Sequence, residues 1–164
     1  MRAVLLFVVL GLATALDLGT KAWAEASLTL HQPNVVLGDL LRLTLGYNRG
    51  VAFGMLAETG FLPLLVSGAI IVGLLVWALR HALRASASTA QTVFLGLVIG
   101  GALGNFLDRL PDGRVTDFLD VGLGAARWPT FNLADSLIIV GFALLVLWTS
   151  QDTKRRTSGL SQTK

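Results

Sequence analysis

Cysteine is absent from this 164-residue sequence. Its absence excludes disulfide bonds, thiolate metal sites and a cysteine nucleophile. It also excludes anchoring of the chain itself through a lipid-modified cysteine. Histidine is scarce: His31 and His81 are the two histidines, and neither has the second histidine or carboxylate cluster of a metal site. We therefore expect neither a metal nor an organic cofactor.

Charge is also scarce, at 14% of residues against roughly 25% in an average soluble domain. Hydrophobic residues make up 54%, and the mean hydropathy is +0.70. A soluble fold of one-domain length cannot bury that much apolar surface, so part of the solvent must be lipid. The net charge of +3 does not indicate nucleic-acid binding, because the basic residues cluster at the termini and in one short loop.

Four apolar segments are long enough to cross a bilayer as helices, which takes about 20 residues. They lie at about residues 3–24, 61–79, 88–107 and 131–151. The first could be a signal peptide, but its apolar stretch continues past Asp17, so we predict a retained helix. The sequence thus predicts a membrane all-α bundle of four transmembrane helices in one domain, residues 1–152. A basic, disordered tail at 153–164 is expected to follow.

The segment at about residues 27–58 differs in kind from the four spans. Residues 27–30 and 41–45 alternate apolar and polar side chains, which is typical of half-buried strands. Pro33-Asn34, Gly38-Asp39 and Gly46 supply turn residues between them. We predict a small extracytoplasmic β-sheet on the membrane surface.

The distribution of basic residues predicts the orientation. One side of the membrane carries seven basic residues and one acid, and the other carries six basic residues and nine of the ten acids. The acid-poor side should be cytoplasmic, so both termini are expected there. The members of that side are Arg2, Arg80, Arg84, Lys154, Arg155, Arg156 and Lys164.

The same topology brings several polar groups to the outer membrane face, including Asp117 and Asp135. Ionisable groups beside a span usually face the protein interior and mark function. Two carboxyl groups in one pocket of low dielectric constant would share a proton, as in an aspartic protease. The alternative is that Asp135 caps a helix and Asp117 is a solvated loop acid. Spacing alone leaves both interpretations open.

Other polar groups near that face also have two interpretations. Asp17 and Lys21 are four residues apart and could form an exposed ion pair, which would contribute little to stability. Arg109 could hold a substrate carbonyl group with Asp108 positioning it, or it could extend toward lipid headgroups. Asn48 could be turn chemistry or could bind a substrate backbone.

Two further patterns have simpler interpretations. Gly96, Gly100 and Gly104 recur every four residues on the third span, which predicts close helix packing. Ser67 and Ser136 lack a histidine partner at their level, which argues against a serine protease.

Two rival functions remain. One is a proton relay, which would place ionisable groups at several depths of the membrane. The other is a structural scaffold, which leaves the acid cluster unexplained.

Five stretches, in order on four spans, resemble the lipoprotein signal peptidase (signal peptidase II) family along nearly the whole chain. They are Asp17 with Lys21, Asn48-Arg49-Gly50-Val51-Ala52-Phe53, the run Gly100-Gly101-Ala102-Leu103-Gly104-Asn105-Phe106-Leu107-Asp108-Arg109, Val115-Thr116-Asp117-Phe118, and Phe131-Asn132-Leu133-Ala134-Asp135-Ser136.

This resemblance implies a catalytic dyad of Asp117 and Asp135. It implies a substrate-binding set of Asn48, Gly50, Asn105, Arg109 and Asn132, and a supporting set of Asp17, Lys21, Asp108 and Ala134. It also implies cleavage of prolipoproteins just before a diacylglyceryl-modified cysteine, a β-cradle in the outer segment, and inhibition by globomycin-type cyclic peptides. The expected protein is a monomer in the bacterial cytoplasmic (inner) membrane, surrounded by its lipids and with its active site at the outer face.

Overall fold

The computed structural model describes residues 1–50, 61–84 and 88–161, with side chains up to Gln151. Within these ranges, four helices are long and apolar enough to cross a membrane, which confirms the four predicted spans. Their bounds are Arg2–Ser27 (α1), Leu62–Ala82 (α2), Thr89–Arg109 (α3) and Leu133–Ser161 (α4).

A four-stranded antiparallel sheet accompanies the helices, in the order β1-β2-β3-β4. Its strands are Asn34–Leu37 (β1), Leu41–Asn48 (β2), Val115–Leu123 (β3) and Ala126–Arg127 (β4). The prediction of a small sheet is confirmed, and the alternating residues 41–45 lie in β2. The strand expected at 27–30 is wrong, because α1 continues to Ser27 and Leu30 makes only an isolated bridge to Leu45.

Strand β3 is the largest departure from the expectation, since the sheet was predicted at about residues 27–58 and no strand was predicted between the third and fourth spans. Four consecutive residues from Val115 to Phe118 are all buried. A strand buried on both faces loses the alternation that identifies a half-buried one. The sheet therefore takes half of its strands from the connection between α3 and α4.

The second departure is at the C-terminal end. The backbone of α4 stays helical through Ser161, whereas the sequence predicts a disordered tail from 153. Lys and Arg are good helix formers, so an established helix continues through them at little cost. Residues 51–60 lie outside the described ranges, and with them the second half of the Asn48–Phe53 motif and the end of the predicted outer segment.

The glycines of α3 allow α1 to approach closely, as predicted. A Cβ atom at Gly100 would lie 2.6 Å from the Cβ of Ala13, and one at Gly104 would lie 2.5 Å from Asp17 Oδ2. The neighbouring Gly101 does the same for α4, since its Cβ would lie 2.6 Å from the carbonyl oxygen of Ala134. Small residues thus bring α1 and α4 against α3 where the polar residues lie.

Two apolar clusters fix the helices and the sheet. One joins α1, α2 and α3 through Leu6, Ile71, Ala78, Leu95 and Ile99. The other joins α1 to the sheet through Ala24, Leu45 and Phe118. The second cluster sets β3 over the ends of α1 and α3, so that Asp117 faces the start of α4.

Candidate active site

Asp117 lies on β3, opposite Gly46 of β2, and only 4% of its surface is exposed. Burial, followed by the nearby charge of Asp135, raises the pKa of the Asp117 carboxyl group to about 7, while hydrogen bonds from Asn132 and Asn48 and the charge of Lys21 act to lower it. The alternative of a solvated loop acid is therefore wrong. Asp117 is a buried acid on a strand.

Asp135 lies in the first turn of α4. Its Oδ2 accepts a hydrogen bond from the Asn132 backbone N–H at 3.2 Å, and its own N–H donates to Asn132 Oδ1 at 3.0 Å. This reciprocal pair is a capping box. Asn105 Nδ2 donates to the other carboxyl oxygen at 2.8 Å. The helix-cap interpretation of Asp135 is thus correct, and it is compatible with chemistry because the same cap residue also contacts Asp117.

Asn132 is the residue that joins the two acids, and it is fully buried. Its Nδ2 donates to Asp117 Oδ1 at 2.7 Å. The same amide nitrogen lies 3.1 Å from Asn105 Oδ1 and 3.3 Å from the Thr116 carbonyl oxygen. One amide side chain therefore bonds to strand β3, helix α3 and the start of α4.

A buried cation lies behind this group. Lys21 Nζ is 2.8 Å from Asp17 Oδ2 and 3.3 Å from Asp108 Oδ2, and it donates to Asn105 Oδ1 at 2.7 Å. Asp17 Oδ1 accepts the Ala134 N–H at 2.8 Å. Since Asp17 is 0% and Lys21 2% exposed, the exposed-pair alternative is wrong. The pair ties α1 to the first turn of α4.

Asp108 and Arg109 point to different parts of the fold. Asp108 Oδ2 accepts the Thr116 N–H at 2.8 Å, which ties α3 to β3. Arg109 is only 6% exposed, and its Nη2 donates to the Gly50 carbonyl oxygen at 2.5 Å. The alternative that Arg109 extends toward lipid headgroups is therefore wrong. Within the described residues these two side chains do not form an ion pair with each other.

A cleft of about 930 Å³ opens beside the two acids, and both Asp117 and Asp135 line it. Its other polar lining includes Asn48, Gly50 and Arg109, as expected for a binding site. The Gly50 N–H donates to Asn48 Oδ1 at 2.9 Å, which fixes this corner of the cleft.

Asn105 and Asn132 differ from the expectation that they line the substrate site. Neither is part of the cleft lining. Both lie behind the carboxyl groups and donate hydrogen bonds to them. A buried carboxyl group is destabilising unless such donors satisfy it. Ala134 and the Asp17–Lys21 pair lie further back, outside the cleft lining.

The apolar wall of the cleft is the part that sequence reasoning missed. It consists of Tyr47, Val115, Val121, Trp128, Pro129, Phe131, Ile138 and Ile139. Ile138 and Ile139 follow Asp135 by three and four residues, so helical spacing could have placed them on the same face. The aromatic positions gave no such signal, because they come together only when β3 pairs with Phe131.

Most of the chain matches a known protein family. Residues 9–151 match the family model of signal peptidase (SPase) II. The chain belongs to the signal peptidase II family. It is therefore a peptidase with four membrane helices, and the resemblance found in the sequence is confirmed.

Curated relatives cover most of the chain. It is 42% identical over 139 residues to the lipoprotein signal peptidase of Hydrogenovibrio crunogenus, covering 80% of this chain and 77% of that protein. It is 41% identical over 142 residues to the lipoprotein signal peptidase of Pseudomonas aeruginosa, covering 83% and 82%. A bacterial membrane enzyme solved by the in meso method has a TM-score of 0.79 and 26% identity, covering 92% of this chain and 90% of that one.

The buried position of Lys21 leads to a prediction about stability. Lys21→Met should lower the free energy of unfolding in mixed micelles by about 3–5 kcal/mol, because Asp17 then keeps an uncompensated buried charge. Arg114→Met is the matched control, since it removes the cation of the half-exposed Asp112 pair and its contact with Tyr47. That loss should stay below about 2 kcal/mol. Equal losses in the two variants would contradict the assignment.

Proposed function

We propose that this chain is an aspartyl endopeptidase that removes the signal peptide from diacylglyceryl-modified prolipoproteins, cleaving just before the lipid-modified cysteine. The relatives' designation as lipoprotein signal peptidases supports the substrate class. One observation carries the mechanism: Asp117 and Asp135 line one cleft and are both hydrogen-bonded to Asn132. Two carboxyl groups that share a partner and a cavity can divide the roles of acid and base.

The environments of the two acids suggest which one holds the proton. The pKa of Asp117 is raised to about 7 by burial and by the charge of Asp135, so a substantial share of Asp117 keeps its proton near neutral pH, which suits it to act as the acid. Asp135 lies at a helix N-terminus, where the helix dipole favours a carboxylate, and it accepts hydrogen bonds from Asn105 and Asn132. Asp135 is therefore the base.

The proposed reaction begins when water enters between the acids. Asp135 takes a proton from the water while the water oxygen attacks the scissile carbonyl carbon. Asp117 gives its proton to the developing oxyanion. The tetrahedral intermediate then collapses. The carbonyl re-forms as its proton returns to Asp117, the C–N bond breaks, and the proton on Asp135 passes to the leaving amine. The net change is hydrolysis of one peptide bond, and both carboxyl groups return to their starting state.

The cleft suits a lipid-bearing peptide. Asn48, Gly50 and the Arg109 side chain that donates to Gly50 provide polar groups for a substrate backbone. Trp128, Ile138 and Ile139 supply apolar surface on the side of α4. A diacylglyceryl group cannot leave the bilayer cheaply, since each buried CH₂ is worth about 0.8 kcal/mol. The carboxyl groups must therefore meet the modified cysteine at the interface.

The proposed orientation places this site at the outer face of the bacterial cytoplasmic membrane, with both termini inside. Arg2 and Arg84 support it, because they lie together at the other end of the helices and basic residues favour the cytoplasmic side. Asp17, Lys21, Asp108 and Asp135 gather at one level, joined directly or through Asn105 and Ala134. A proton relay would distribute such groups over several depths, so the clustering favours interfacial chemistry. Within this proposal residues 1–152 act as one monomeric domain that globomycin-type cyclic peptides would inhibit.

The proposed dyad predicts the effect of removing either acid. Asp117→Asn and Asp135→Asn should each lower the rate of prolipoprotein cleavage by at least about 10³-fold, because amides neither activate water nor protonate the carbonyl. The assay is a gel shift of purified lipid-modified prolipoprotein. Asp112→Asn is the matched control, since Asp112 is a half-exposed acid on the α3–β3 connection, and it should retain full activity. Normal turnover by either dyad variant, with the fold intact by thermal melting, would rule the dyad out.

The proposed substrate predicts a dependence on the lipid. The same prolipoprotein without its diacylglyceryl group should be cleaved with kcat/KM lower by at least about 10²-fold, because the acyl chains hold the substrate at the depth of the carboxyl groups. A time course on the two substrates at equal concentration measures this ratio. Equal rates would contradict the lipid requirement while leaving the dyad in place.

The raised pKa of Asp117 predicts the alkaline side of the pH profile. Asp117 is protonated below its pKa of about 7 and ionised above it, so the acid is lost as the pH rises. We expect kcat/KM to fall about tenfold per pH unit above that value, since the ionised pair has no proton to give. Initial rates between pH 5 and pH 10 measure the profile. A rate that keeps rising to pH 9 would place the proton elsewhere.

A further inference from the structure

A second cavity lies at the opposite end of the helices from the acids. It has a volume of about 450 Å³ and lies between the end of α2, the start of α3 and the latter part of α4. Gln91 of this cavity and Arg109 of the acid cluster are both on α3, 18 residues apart, which corresponds to about 27 Å along the helix axis. The cavity is therefore separate from the proposed peptidase site.

The walls of this cavity are those of a lipid-facing groove. Trp77, Leu95, Leu145 and Val146 line it. Trp77 and Val146 are half exposed, so the groove opens sideways from the bundle. In a chain whose helices cross a membrane, the medium on that side is lipid. An acyl chain is the complementary occupant of such walls.

One polar side-chain atom in the groove has no hydrogen-bond partner among the described residues. His81 lines the cavity, and its Nε2 is buried without a hydrogen-bond partner among the described residues. The hydroxyl groups of Thr149 and Ser150, on the α4 wall, donate to the carbonyl oxygens of Leu145 and Val146 in their own helix. A buried polar atom is destabilising when it is unpaired. An imidazole Nε2 can donate a hydrogen bond to an oxygen atom of a ligand.

The surrounding charges favour an anion as that ligand. Arg80 and Arg84 are exposed at the same end of α2. Arg2 Nη1 lies 3.4 Å from the Arg84 carbonyl oxygen, which brings a third cation to this level. The start of α3 adds the backbone N–H groups of a helix N-terminus, and among the described residues Ser88 makes no side-chain cap hydrogen bond to them. Helix N-termini bind phosphate groups through such N–H groups. Gln91, in the first turn of α3, also lines the cavity.

We propose that this cavity binds an anionic phospholipid of the leaflet that faces Arg80 and Arg84. One acyl chain lies along the groove between α2 and α4, and the phosphate group accepts a hydrogen bond from His81 Nε2. The site is independent of the peptidase chemistry, because none of its residues touches the acids. It anchors the bundle to anionic lipid at the end where α1 begins.

Fluorescence of Trp77 tests the proposal directly. The probe protein is the full chain with Trp23, Trp128 and Trp148 replaced by Phe, reconstituted in phosphatidylcholine vesicles. Phosphatidylglycerol with brominated acyl chains, added at low mole fraction, should quench Trp77 at least threefold more than the same fraction of brominated phosphatidylcholine. Equal quenching by the two lipids would overturn the proposal.

Substitution of the histidine separates the headgroup contact from general lipid exposure. His81→Leu should reduce the preference for phosphatidylglycerol to that of the bulk bilayer, because the phosphate group loses its donor. His31→Asn, which removes the other histidine and suits its positive φ of 58°, should keep the preference. Retained preference in His81→Leu would overturn the assignment of His81. Displacement of the brominated lipid by inorganic phosphate would show a free-anion site and overturn the lipid proposal.

Discussion

The side-chain amide of Asn132 is the contact on which the rest of the site depends. It is fully buried, it bonds to Asp117 on the sheet, and it forms the cap that starts α4 and holds Asp135. A single short amide cannot reach all of these partners unless strand, helix start and α3 are already within hydrogen-bond distance. The distance between the two acids is thus fixed by one residue that touches both, and any chemistry they share depends on it.

Close helix packing allows the polar groups of this site to pair with one another inside an apolar bundle. Glycine at 104 leaves room for the Asp17 carboxyl group, and glycine at 101 leaves room for the backbone of Ala134. Asp17 can then accept the Ala134 N–H and pair with Lys21. Buried charges are tolerated when they are paired and hydrogen-bonded. The buried charges of this protein therefore depend on the glycines, because the glycines leave the space in which the charged groups meet at the same level of the bundle.

The two ends of the bundle differ in how their polar groups are satisfied. At one end, acids, amides and Lys21 bond to one another, and two of the acids also line the cleft beside them. At the other end, His81 Nε2 is buried in an apolar groove and has no such partner among the described residues. The first arrangement suits the proposed proton transfer, whereas the second suits the proposed lipid ligand. Both arise because the lipid around the bundle offers no hydrogen bonds of its own.

The amino-acid sequence alone determined the number of spans, the glycine face of α3 and the identity of the polar residues, since these depend on composition and on spacing within one helix. It also predicted that Asp117 and Asp135 come together, through the family motifs. It did not predict strand β3, because burial on both faces removed the alternation of residues 115–118. Only the tertiary structure decided that Asn105 and Asn132 lie behind the acids and that Arg109 turns inward to Gly50. Those roles depend on which donor lies nearest across separate elements, and that distance is set by packing.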